Sequence, residues 1–163
     1  MARGSDIIVT ADPKGRWIEG KLDIGITPKP GTILQIKASS GIDNNGRFTF
    51  ELYNADADGG RPKGPWLILD MDSLRGINQT TAYAAGDAVR CYVPMPGEEF
   101  NLLLADISGT ADDHTKGEML IVDDTTGLLI ATTGSPETEP FQLLETIIDP
   151  TANQLVHVIF TGY

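Results

Sequence analysis

Three stretches of this chain hold residue types that could do chemistry. Asn54-Ala55-Asp56-Ala57-Asp58-Gly59 sets oxygen ligands at alternating positions with a glycine sixth, as a calcium loop begins. The twelfth position of such a loop supplies a bidentate carboxylate, and here it is Pro65, so the segment reads as an acidic turn. Asp112-Asp113-His114, with Glu118 nearby, offers metal ligands, but one histidine among flexible carboxylates fixes no geometry. Cys91 and His157 are the remaining candidate nucleophile and base. Each falls inside a β-type run, where a thiol acts as a small hydrophobe and the histidine is a structural residue. The chain contains no GxSxG elbow, HExxH pair, Walker loop or GxGxxG after a strand. No catalytic, cofactor-binding or metal-binding residue is therefore assigned, and the expectation is a non-enzyme.

The elements that would position such groups are short β-strands. Gly, Pro, Asn or Asp punctuates the chain every 8 to 12 residues. Phe48, Phe50 and Leu52 alternate with Arg47, Thr49, Glu51 and Tyr53, a period of two that turns the first set toward a core. Val89, Cys91 and Val93 repeat the pattern, as do Phe100, Leu102 and Leu104, and Val156, Val158 and Phe160. Further strands are expected at 7–10, 17–22, 32–37, 66–69, 119–122, 128–132 and 141–148. The last also has helical spacing at Phe141, Leu144, Glu145 and Ile148, but Thr146-Ile147-Ile148 favours strand. Asp43-Asn44-Asn45-Gly46 and Thr125-Thr126-Gly127 read as turns, the second closing a hairpin. Residues 54–65 and 73–86 form two long polar connections, and no internal repeat is visible. The expected fold is all-β: a barrel or two-sheet sandwich of about nine to eleven short strands. An N-terminal arm, 1–15, precedes a single β domain, 16–163.

A length of 163 residues suffices for a real core, and one cysteine permits no intrachain disulfide. No export signal or apolar run long enough for a membrane helix is present, so synthesis in the cytoplasm and no membrane contact are expected. Charge is uneven. Residues 1–40 hold six basic and four acidic groups, whereas residues 81–163 hold two and thirteen. Phosphate backbones would repel the acidic half, which argues against nucleic-acid binding. Trp17, Trp66, Tyr53, Tyr83, Tyr92 and Tyr163 could in principle stack sugars. Spread out and, with the phenylalanines, only 7% of residues, they are expected mainly in packing.

The run Tyr83-Ala84-Ala85-Gly86-Asp87-Ala88-Val89, continued by Arg90-Cys91-Tyr92-Val93-Pro94-Met95-Pro96-Gly97-Glu98-Glu99-Phe100, resembles the β-domain of tailed-bacteriophage head decoration, or cement, proteins. Lys116-Gly117-Glu118-Met119-Leu120, Asp124-Thr125-Thr126-Gly127-Leu128-Leu129 and the proline-rich Thr27-Pro28-Lys29-Pro30-Gly31-Thr32 extend the resemblance over about half the chain. It implies a non-enzymatic protein on the outer surface of the virion head. Such a protein binds the major capsid protein, stabilises the shell and often forms a homotrimer. A carbohydrate- or cell-surface-binding β-sandwich of a virion fibre is the alternative. Strands apolar on both faces, Leu128–Ile130 and Leu155–Phe160, agree with self-association. Arg3, Ile7, Ile8 and Val9 are the expected partner-binding residues. They lie in the basic N-terminal segment, where a β-prone run without a nearby hairpin partner could add to another protein's sheet edge; the alternative is that residues 7–10 form the first strand of the domain's own sheet.

Overall fold

The computed structural model describes residues 7–9, 13–37, 42–43, 45–54, 65–105, 113–131, 140–148 and 153–162. Ten strands appear among them: β1 (Arg16–Leu22), β2 (Ile33–Ile36), β3 (Phe48–Leu52), β4 (Leu67–Leu69), β5 (Ala88–Val93), β6 (Glu99–Leu104), β7 (Met119–Val122), β8 (Leu129–Ala131), β9 (Phe141–Leu143) and β10 (Gln154–Phe160). The all-β expectation holds. The strand expected over 141–148 ends at Leu143, beyond which Ile147 makes an isolated bridge to His114.

The strands close into two five-membered barrels, β1-β3-β2-β4-β5 and β6-β8-β7-β9-β10. In each, the first and third strands run parallel and every other pair is antiparallel. The second barrel thus repeats the first, strand for strand. Their registers match as well. Gly31 N–H donates to Leu69 O at 2.8 Å, and Gly117 N–H donates to Leu143 O at 2.8 Å. Asp23 N–H to Phe50 O corresponds to Ala105 N–H to Leu129 O, both 2.8 Å. Asp70 N–H to Arg90 O (3.1 Å) corresponds to Leu144 N–H to His157 O (2.8 Å). Tyr83 N–H to Pro28 O (2.9 Å) corresponds to Ile147 N–H to His114 O (2.8 Å), and both Tyr83 and Ile147 are buried.

No repeat is legible in the sequence because the shared constraint is volume, not identity. Leu22, Leu34, Leu69 and Val89 recur as Leu104, Leu120, Leu143 and Val156, but Cys91 answers to Val158 and Leu67 to Phe141. Gly20 with Phe50 answers to Leu102 with Leu129, so a small and a large residue are replaced by two of intermediate size. Cores accept such exchanges when total volume is kept.

Leu22, Leu34, Phe50, Leu67, Leu69, Val89 and Cys91 fill barrel one. On the opposite faces of β2, β4 and β5, Ile33, Ile68 and Tyr92 are buried and join the cluster that fills barrel two, while Ala88 and Arg90 of β5 are exposed. Two main-chain bonds cross the same boundary, Ile33 N–H to Gly127 O at 2.8 Å and Leu103 N–H to Gly31 O at 3.4 Å. Strands buried on both faces are thus accounted for within one chain at β2, β4 and β6. The apolar second face of β10 is half-buried, at Leu155 and Ile159.

Candidate functional site

Barrel one carries a groove of about 570 Å³, bounded by Glu19 and Gly20 on β1, Arg47, the stretch Met71, Asp72 and Leu74, and Ala88 and Arg90 on β5, with Tyr83 and Val89 of the barrel's core cluster also in its lining. A short 3-10 turn, Ser73–Arg75, raises Leu74 beside it, 98% exposed. Pairing of β1 with β5 brings Trp17 opposite Tyr92 and Glu19 opposite Arg90. The Arg90 guanidinium lies 4.1 Å from the centroid of Trp17 and 2.7 Å from an Asp70 carboxylate oxygen. Tyr92 meets Trp17 edge-on at 5.0 Å. One cation is thus held between an aromatic face and a carboxylate, an arrangement that fixes a flexible arginine at the surface. Barrel two answers with His157 and Glu99 on the same diagonal, 2.8 Å apart.

The two barrels differ sharply in charge. The sequence from Arg16 to Val93 holds nine basic and nine acidic residues, and that from Glu99 to Phe160 holds one basic and eleven acidic. The gradient seen along the chain therefore divides at the barrel boundary, neutral on one side and −10 on the other.

That boundary is fixed by Glu98, a residue that sequence reasoning missed. Only 4% exposed, its carboxylate accepts N–H bonds from Lys14 (2.5 Å), Gly15 (3.1 Å) and Met95 (2.8 Å) and the Tyr92 hydroxyl (2.8 Å). Burial alone would raise its pKa. The bonds from Met95, Lys14, Tyr92 and Gly15 outweigh that and hold the carboxyl below its ordinary value. Burial, with Glu98 beside it, pushes the Tyr92 hydroxyl up to about 12, so it stays a donor at neutral pH. The available signal was the turn Met95-Pro96-Gly97-Glu98, in which a glutamate can reach back to the N–H three residues earlier.

Of the expected partner-binding residues, Ile7, Ile8 and Val9 pair within the chain's own sheet. Ile7 is 1% exposed, and Ile8 bridges Phe100 of β6 in antiparallel sense. Asn101 N–H donates to Ile7 O at 2.8 Å, and Val9 N–H donates to Glu99 O at 3.0 Å. The run is therefore not unpaired: Ile8 and its partner Phe100 are 92 residues apart, a distance that no local turn signal reports. Of the three, Val9 is the exposed one. Arg3 lies outside the described residues, as do 55–59 of the acidic turn, Asp112 and Tyr163.

His114 is buried, with Nδ1 3.2 Å from a Glu118 carboxylate oxygen. Among the described residues, no group of three or more His, Cys, Asp or Glu is placed to hold a metal ion. Cys91 points into barrel one at 0% exposure; burial, with Asp70 nearby, pushes its thiol far above the usual range. A thiol reagent is expected to label none of the folded protein within an hour at pH 8 and one thiol per chain in guanidinium. Rapid labelling of the folded state would show that Cys91 is reachable. Of the aromatics considered for sugar stacking, Tyr53, Tyr83 and Tyr92 are buried, and Trp66 packs 4.6 Å from Tyr53.

No protein-family model matches the chain, and no curated protein matches its sequence.

Proposed function

We propose that this chain is a non-enzymatic capsid decoration protein of the tailed-bacteriophage type. In this reading it sits on the outer surface of the virion head, against the major capsid protein, and stabilises the shell as a homotrimer. One observation carries the reading: two barrels of the same build, one neutral and one at −10. An acidic barrel belongs on the outside of a shell packed with polyanion, facing away from it. The neutral barrel, with its groove and its Trp17–Arg90–Asp70 ladder, is the side suited to a protein partner. Arginine and tryptophan are the residue types enriched where protein surfaces bind tightly. Since Ile7–Val9 are used on β6, the shell contact is assigned to barrel one and not to a free arm. Three weak contacts on one trimer raise the effective concentration of each and make the whole attachment tight.

The fibre-module alternative draws less support, because one face of Trp17 is covered by Arg90. Mass spectrometry of purified virions from the genome that encodes this chain tests the proposal. The chain is expected in copy numbers comparable to the shell's threefold positions and released without loss of tails. Absence from virions, or recovery only with fibres, overturns it.

A further inference from the structure

Comparison of the two barrels shows a strand position that is filled in barrel two and that no described residue fills in barrel one. In an antiparallel ladder, alternate residues aim N–H and C=O at the partner and the others aim them away. Leu22 N–H donates to Asp87 O, so Leu22, Gly20 and Ile18 face β5, while Lys21, Glu19 and Trp17 face the other side. β3 lies on that other side, and its pairing stops at Gly20↔Phe48. On β6 the matching outward residues are Asn101 and Glu99, and there the position is filled: Ile7 O and Val9 N–H complete the ladder, with Ile8 against Phe100. On β1, no described residue pairs with Glu19 N–H or Trp17 C=O. The burial agrees. Phe100 is 0% exposed, whereas its counterpart Ile18 is half-buried and flanked by exposed Trp17 and Glu19.

We propose that the edge Trp17–Glu19 is a docking site for one extended strand of a partner protein, running antiparallel to β1 as Ile7–Val9 runs against β6. The sister barrel sets what fits. An aliphatic residue stands opposite Ile18, where Ile8 stands opposite Phe100, and closes the seam. The next residue is aliphatic and covers the open side of Trp17, as Val9 stands opposite Glu99. The preceding residue is lysine or arginine, because it stands opposite Glu19, whose carboxylate has no ion-pair partner among the described residues. Main-chain bonds supply affinity, and these three positions supply selectivity. The site rests on the geometry of the two barrels, so it stands or falls independently of which assembly carries the strand.

The test uses the full-length, nitrogen-15-labelled protein and a synthetic peptide of residues 1–12 with Ile7→Lys, in which the Ile7–Val9 segment that fits the sister position is adjusted to meet Glu19. Saturable shifts and slowed exchange of the Glu19 amide are expected, with Kd below about 1 mM. Glu19→Lys, a change at an exposed site, should weaken this peptide about fivefold, and an Ile7→Glu peptide should recover binding to that variant. An unchanged Glu19 amide at 5 mM peptide (~5 times that ceiling) overturns the proposal. So does equal binding of both peptides to both proteins, or protection confined to β6, where the peptide would merely displace the native Ile7–Val9.

Discussion

Replacing Gly20 by leucine is expected to destabilise the protein by about 4 kcal/mol, from overpacking plus lost ladder bonds. In a domain of this size that lowers Tm by about 8–16 °C. A Cβ at Gly20 would lie 2.5 Å from Phe48 O and 2.7 Å from the Phe50 ring. The first contact is with backbone and cannot be relieved by a rotamer change. Gly20 is thus what lets β3 approach β1 over Gly20↔Phe48 to Leu22↔Phe50. Barrel two supplies the control within the same molecule. There Leu102 replaces Gly20, Leu129 replaces Phe50, and the parallel pairing shrinks to Leu104↔Leu129. Adding Phe50→Leu to Gly20→Leu should therefore recover part of the loss, the part due to the ring, and leave the part due to Phe48 O. Calorimetry on the two single variants and the double variant measures this coupling. A Gly20→Leu protein that melts within 2 °C of the parent, less than the ~2–4 °C of 1 kcal/mol, would show that the seam is not closed by glycine.

The second large effect is expected at Glu98. Glu98→Gln keeps the shape but turns one acceptor oxygen into an N–H₂; one oxygen accepts from Lys14, Gly15 and the Tyr92 hydroxyl and the other from Met95, so in either orientation the N–H₂ faces a donor. A cost of about 3 kcal/mol follows from breaking buried, charge-assisted bonds and leaving donors unmet. That corresponds to a fall in Tm of about 6–12 °C at pH 7. The pH dependence is set by the depressed carboxyl. A group whose folded pKa lies below its unfolded value, about 4.3 for glutamate, contributes fully above that value. The contribution then fades as pH falls through the folded pKa. The gap between parent and variant should thus be constant from pH 8 to about 5 and narrow below about pH 4. A gap that persists unchanged at pH 2.5, well under the ~4.3 of free glutamate, would mean that the carboxylate charge is not what holds the junction. Because Glu98 ties residues before β1 to the turn between the barrels, the early loss should appear as loosening at Lys14, Gly15 and Met95 in hydrogen exchange.

Much of this architecture was written locally. Alternation at Phe48–Leu52, Val89–Val93, Phe100–Leu104 and Val156–Phe160 fixed strands and inner faces, since a period of two depends only on neighbours. Turn chemistry at Asp43–Gly46 and Thr125–Gly127 did the same: Gly46 and Gly127 both adopt positive φ, and β7 pairs antiparallel with β8 across the second turn. The charge gradient was equally plain. What the sequence could not report was which strands meet across long separations. Ile7–Val9 looks unpaired until β6 arrives beside it, and Glu98 looks like one acid among many until Lys14, Gly15 and Tyr92 converge on it.

The repeat lay beyond reach for a related reason. Barrel interiors constrain summed volume, so Gly20 with Phe50 and Leu102 with Leu129 solve the same packing problem without sharing a residue. Composition and alternation determined that this is a β-protein with an acidic second half. Only tertiary structure decided that the halves are the same barrel twice, with one strand position filled in the second and left unpaired by the described residues in the first. Ladder partners are chosen by main-chain geometry, which side-chain patterns do not encode.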